Sequence, residues 1–84
     1  MMKTIYIGNL TYSVSEEMVY DLFSREGTVH SVELITDRET GKPRGFGFVK
    51  MEHNEAISAI RAFNGTKFGG RPLLVKETRE RGAL

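Results

Sequence analysis

The chain has 84 residues and a net charge of +1, enough for one domain and a modest core but too balanced to argue for or against a polyanionic partner. Cysteine and tryptophan are absent, so neither disulfides nor cysteine-ligated zinc can support the fold. No apolar run approaches membrane-spanning length, and the first residues lead straight into a strand-like segment without a leader pattern. We therefore expect no membrane association and a cytoplasmic location.

Thr4 to Gly8 alternates and is rich in β-branched residues, which predicts a strand with Ile5 and Ile7 on one face and Tyr6 on the other. Ser15 reads as a helix N-cap, followed by Glu16 and Glu17 at the positive end of the helix dipole. Val19, Leu22 and Phe23 form the apolar stripe of that helix, with Met18 at its edge, and Gly27 is expected to stop it. Tyr12 and Tyr20 are expected at the surface or packed at edges. Val29 to Thr36 predicts a second strand, with Val32 and Leu34 facing in and Glu33 and Ile35 facing out. A charged loop containing Arg38 and the turn residues Thr40, Gly41 and Pro43 follows.

The stretch Arg44 to Met51 is the most informative in the chain. With a period of two, Arg44, Phe46, Phe48 and Lys50 share one face, and Gly45, Gly47, Val49 and Met51 share the other. Burying both phenylalanines would bury two cations with them, so Val49 and Met51 should face the core and the two rings should lie outside. Adjacent exposed aromatics between cations suit a polyanion with unpaired bases, since rings stack on bases and cations meet phosphates.

Asn54 is expected to cap a second helix, with Ala56, Ala59, Ile60 and Phe63 facing inward and Asn64-Gly65 ending it. Thr66 to Arg71 reads as a turn-rich connection, with Phe68 covering the core from outside. Pro72 to Lys76 is the last predicted strand, with Leu73 and Val75 inward and Leu74 and Lys76 outward. Residues 79–84 read as a polar tail beyond a single domain of residues 1–78. The order β-α-β-β-α-β gives an α+β, ferredoxin-like sandwich, a four-stranded antiparallel sheet with two helices on one face. Right-handed crossovers place the first and third strands side by side in the centre, with Tyr6 beside Phe48 and Phe46 further along.

Arg44-Gly45-Phe46-Gly47-Phe48-Val49-Lys50-Met51 resembles the RNP1 signature of the RNA recognition motif family, departing only at Met51, where an aromatic is usual. Ile5-Tyr6-Ile7-Gly8-Asn9-Leu10 resembles that family's RNP2. The resemblance extends from Lys3 to about Thr78, and the Thr36-to-Phe48 run, with its Asp-Arg-Glu-Thr-Gly stretch, and the single-domain length resemble the small members from bacteria and cyanobacteria. It implies that Tyr6 and Phe48 each stack under a base, that Phe46 packs against sugars, and that Arg44 meets a phosphate. Lys50, Lys76 and Arg38 are further candidates for RNA contact. Glu33, Ile35 and Leu74 stand at the platform edges, where they would tune base preference, and Thr78 stands where the last strand gives way to the tail.

The expected partner is single-stranded RNA, with single-stranded DNA tolerated by stacking, and the expected state is a monomer without cofactor, metal or small-molecule substrate. Two rival functions share the fold. An enzyme would need a catalytic set, yet no Ser-His-acid combination is evident, and His30 and His53 lie in different elements and read as surface residues. Gly45-Phe46-Gly47 lies within a strand and opens no helix, so it is no dinucleotide loop. A protein-interaction module on the same scaffold is the other alternative; RNA binding is preferred because all three signature rings are present.

Overall fold

In a computed structural model describing residues 1–78, the elements run β1 (Met2–Gly8), α1 (Glu16–Phe23), β2 (Val29–Thr36), β3 (Pro43–Glu52), α2 (His53–Phe63), β4 (Lys67–Phe68), β5 (Arg71–Pro72) and β6 (Leu74–Thr78). The four long strands form an antiparallel sheet in the order β2-β3-β1-β6, so β1 and β3 are central, as the crossover rule requires. The predicted α+β sandwich is the observed one. The residues predicted to form a tail, 79–84, lie outside those described.

Alternation decides what the sheet buries. Ile5, Ile7, Val49, Met51 and Val75 are fully or almost fully buried on one face, against Val19 and Phe23 of α1 and Ala56, Ala59 and Phe63 of α2. Phe23 and Phe63 meet edge to face at 5.1 Å, a ring pair that joins the two helices within the core. The alanines present no side chain beyond Cβ, which lets α2 lie close to β1, β3 and β6. Met51 is wholly buried, so its departure from the aromatic signature concerns core packing.

The structure corrects several boundaries. Helix α1 stops at Phe23, four residues before Gly27, because Arg25 and Glu26 donate to Leu22 and Phe23 carbonyls and tighten the chain into a turn. Gly27 instead leaves room for Glu55 of α2, whose carboxylate accepts the Thr28 amide at 3.0 Å. The N-cap of α2 is Glu52, which accepts the Asn54 amide at 2.9 Å; Asn54 is already inside the helix. Pro72 does not open the last strand. It belongs to β5, which pairs with β4 across Gly69-Gly70, two residues with positive φ in a tight hairpin turn. The final strand begins only at Leu74. His53, read as a surface residue, is half-buried, and its Nδ1 has no hydrogen-bond partner.

Two irregularities were not predicted. The β2–β3 register shifts between Val29 and Ser31, which lets Val29 and Val32 both turn toward the core although three residues apart. It shifts again between Leu34 and Thr36, opposite Gly45, whose φ of +88° is open to glycine and strained for other residues. Strict alternation therefore holds from Phe46 to Met51 and breaks at Gly45, so period two alone does not fix the direction of Arg44.

Candidate nucleic-acid interface

The helices leave one face of the sheet open. Pairing of Tyr6 with Phe48 and with Lys76, and of Glu33 with Phe48, lays Glu33, Phe48, Tyr6 and Lys76 in one row across all four strands. A parallel row carries Ser31, Lys50, Thr4 and Thr78. The rings of Tyr6, Phe46 and Phe48 form a triangle. Tyr6 stacks on Phe46 at 5.9 Å and 24°, meets Phe48 edge-on at 6.0 Å, and Phe46 meets Phe48 edge-on at 6.2 Å. All three are half-buried, because each covers the others while one side stays open.

Phe46 is thus no further from Tyr6 than Phe48 is, although the expected arrangement placed it further along the sheet. The reason is Gly8. Two residues beyond Tyr6 on the same face, it has no side chain, and the Tyr6 ring lies back across it toward Phe46. A Cβ at Gly8 would stand 2.7 Å from Tyr6 Oη and 2.8 Å from Cε1. The Lys76 ammonium sits over the Tyr6 ring, 5.3 Å from its centroid, a contact worth roughly 0.5–1 kcal/mol at an exposed site.

The remaining predicted residues ring this cluster at different distances. Arg44 is exposed at the start of β3, near enough to Asp37 to help lower that carboxyl. Lys50 is half-buried in the second row, and Thr78 closes that row on β6. Leu74 pairs with Gly8 and is 44% exposed, an apolar flank to the platform. Glu33 is exposed at the outer end of the ring row. Ile35 is half-buried in the irregular part of β2, off the row of rings.

Arg38 stands apart, exposed in the β2–β3 loop. The Asp37 carboxylate holds that loop by accepting the amides of Glu39 at 2.8 Å and Thr40 at 3.0 Å. Those two hydrogen bonds, followed by the attraction of Arg44, outweigh desolvation and keep Asp37 below its ordinary value of 3.8. Across the sheet, Lys3 binds Glu77 and lowers that carboxyl as well, first through the hydrogen bond and then through its charge. Sequence reasoning missed Gly8 and Thr4. Both share the parity of Tyr6 and could have been found by asking what lies beside an exposed ring along its own strand.

Among the described residues no group of three or more His, Cys, Asp or Glu could hold a metal ion, and no helix is long and apolar enough to cross a membrane.

A four-stranded sheet backed by two helices and fronted by clustered rings defines the class of small α+β domains that take single strands on a sheet face. Within that class the chain belongs to the RNA recognition motif family, which matches residues 5–74. It is 49% identical to RbpE of Nostoc sp. over 93% of this chain and 80% of that protein. It is 45% identical to the human cleavage stimulation factor subunit 2 tau variant over 88% of this chain, yet spans only 12% of that much longer protein. Among solved structures, RNA binding protein PG1 superimposes with a TM-score of 0.90 at 51% identity, covering 94% of this chain and 96% of that one. The Rna15 domain with bound RNA (GU) superimposes with a TM-score of 0.80 at 31% identity, covering 92% and 83%.

Proposed function

We infer that the open sheet face binds single-stranded RNA and that residues 1–78 form a single RNA-binding domain. The observation that carries this reading is the ring triangle, assembled from β1 and β3 on the face that α1 and α2 leave open. Tyr6 and Phe48 offer stacking surfaces for two bases and Phe46 packs against the sugar between them. A base arriving on Tyr6 displaces Lys76 from the ring and frees its ammonium for a phosphate. Arg44 and Lys50 supply further cationic contacts, and Arg38 reaches the strand from its loop. Glu33, Ile35, Leu74 and Thr78 border the bases and bias their choice.

The bound-RNA relative and the RNA-binding PG1 support the same reading. Two stacks at about 1–3 kcal/mol each, plus a few ion pairs and less the ordering of a flexible strand, give an affinity on the order of micromolar. Stacking alone admits single-stranded DNA. The reading extends to a monomer acting in the cytoplasm on transcripts after their synthesis.

The test is a fluorescence-anisotropy titration of a labelled single-stranded RNA hexamer pool with the wild type, Tyr6→Ala and Phe48→Ala. Each variant should keep its circular dichroism spectrum and bind about 5- to 150-fold more weakly. Folded variants that bind as tightly as the wild type would refute the platform.

A further inference from the structure

The main sheet ends in β2 on one side and β6 on the other. An edge strand carries amides and carbonyls that a further strand could pair, and a domain that stays single has to cover them. The two edges are covered unequally. At β6 the turn after α2 lies along the strand's start. The Leu73 amide donates to the Thr66 carbonyl at 2.7 Å, the Gly65 amide donates to the Leu73 carbonyl at 2.8 Å, and the Val75 amide donates to Asn64 Oδ1 at 3.0 Å. The strand is also short, at five residues.

Strand β2 is longer, at eight residues, and contains no proline, glycine or lysine to spoil its outer edge. Its register shifts lie toward its two ends, and Ser31 to Leu34 pair with β3 without interruption. The contact that closes this regular stretch comes from α1. Glu16, in the first turn of that helix, reaches round the edge, and its Oε2 accepts the Leu34 amide at 3.2 Å. That amide therefore points away from β3, and by alternation the Val32 amide points the same way.

The stretch is complementary to itself. Two copies of β2 laid antiparallel about a two-fold axis at Val32 bring His30 opposite Leu34 and Ser31 opposite Glu33, so no carboxylate faces another. The axis runs normal to the sheet. Both ring triangles would then lie on the same side of one continuous sheet.

We propose that the β2 edge is a latent surface for pairing with a second copy of this chain, and that Glu16 holds it shut. While its carboxylate occupies the Leu34 amide, an incoming β2 must displace one hydrogen bond before it gains another. With Glu16 gone, pairing satisfies a bare amide on each copy. Glu16 thus keeps each platform single, whatever the open face binds.

The experiment follows mass by sedimentation equilibrium, from micromolar to millimolar protein, for the wild type, Glu16→Ala, Glu16→Asp and Glu16→Gln. Amide hydrogen exchange is measured at both ends of that range. The wild type and Glu16→Gln, which keeps an acceptor oxygen at the same reach, should hold the mass of one chain throughout. Glu16→Ala has no acceptor, and Glu16→Asp keeps the charge but is one methylene too short. Both should rise toward twice that mass and no further, because an edge paired about a two-fold closes on itself. In both, exchange at Val32 and Leu34 should slow several-fold at the high concentration. Glu16→Ala and Glu16→Asp staying single at millimolar concentration would overturn the proposal, as would a wild type that already pairs. Glu16→Gln pairing as Glu16→Ala does, or Glu16→Asp staying single while Glu16→Ala pairs, would also overturn it, by assigning the effect to charge. Association that leaves exchange at Val32 and Leu34 unchanged would place the contact elsewhere and refute it. Should Glu16→Ala fail to fold, Glu16→Asp and Glu16→Gln decide.

Discussion

Tyr6 illustrates how one side chain can be set by a residue that has none. Its ring rests across Gly8, and that resting place brings it to 5.9 Å from Phe46 in a stacked geometry. Gly8→Ala puts a methyl group where the far end of the ring now lies. The ring can swing aside at little expense to the fold, but it then leaves Phe46 and the shape of the platform. Gly8→Ala should therefore keep a melting temperature close to the wild type while binding RNA several-fold more weakly, as a fraction of one stack's roughly 1–3 kcal/mol. Comparison of thermal melts with anisotropy titrations checks this; equal affinity would mean the resting position of Tyr6 has no bearing on binding. The outward placement of Phe46 and Phe48 was legible in the sequence because Arg44 and Lys50 share their parity, and that of Tyr6 because Ile5 and Ile7 take the other face. The triangle was not legible, because parity assigns a face and says nothing about which way a ring leans.

At the scale of elements, the strand pattern was readable wherever alternation was strict and failed where the backbone departs from it. Val29 and Val32 cannot both face inward on a regular strand, and the register shift that reconciles them leaves no signature beyond that odd spacing. The glycine pair at 69–70 was read as a turn, but two-residue strands on either side carry too little pattern to be recognised, and this moved the start of the last strand to Leu74. The helix caps were half legible. Ser15 accepts the Met18 amide at 3.2 Å as its residue type suggests, whereas glutamate at 52 is an unusual cap that outcompeted the more conventional asparagine. Pairing of β2 with β3 also depends on Gly47, where a Cβ would stand 2.4 Å from the Glu33 carbonyl oxygen. Backbone cannot move aside as a ring can, so Gly47→Ala should destabilise the domain by about 1–3 kcal/mol in urea denaturation. An unchanged midpoint would contradict the packing described here. The β2–β3 loop responds to acid for a different reason. Asp37 is held below its ordinary value of 3.8, so its stabilising hydrogen bonds are complete above that pH and are lost as pH falls through the lower folded-state value. The amides of Glu39 and Thr40 should follow a titration with its midpoint below 3.8, monitored by NMR; a midpoint above it would reverse the sign argued for Asp37.

Over the whole molecule, net charge conceals the function. The total of +1 comes from nearly equal numbers of cations and anions, and only the distribution tells them apart. Arg44, Lys50 and Lys76 surround the open face, while Glu16, Glu17 and Asp21 lie on α1 behind the sheet. With three phosphate contacts, the logarithm of the RNA association constant should fall against the logarithm of salt with a slope of about −2, at roughly −0.7 per contact for a single strand. A slope near zero would remove phosphate pairing from the account. The convergence of β1 and β3 was legible because right-handed crossovers leave few ways to order four strands. On the proposed reading, RNA lies across the row from Glu33 to Lys76. Amide and aromatic NMR of the wild type during titration with a single-stranded RNA hexamer tests it most directly. The largest shifts should fall on Glu33, Phe48, Tyr6, Lys76 and the Phe46 ring. Shifts confined to α1 and α2, with those residues unmoved at saturation, would contradict it.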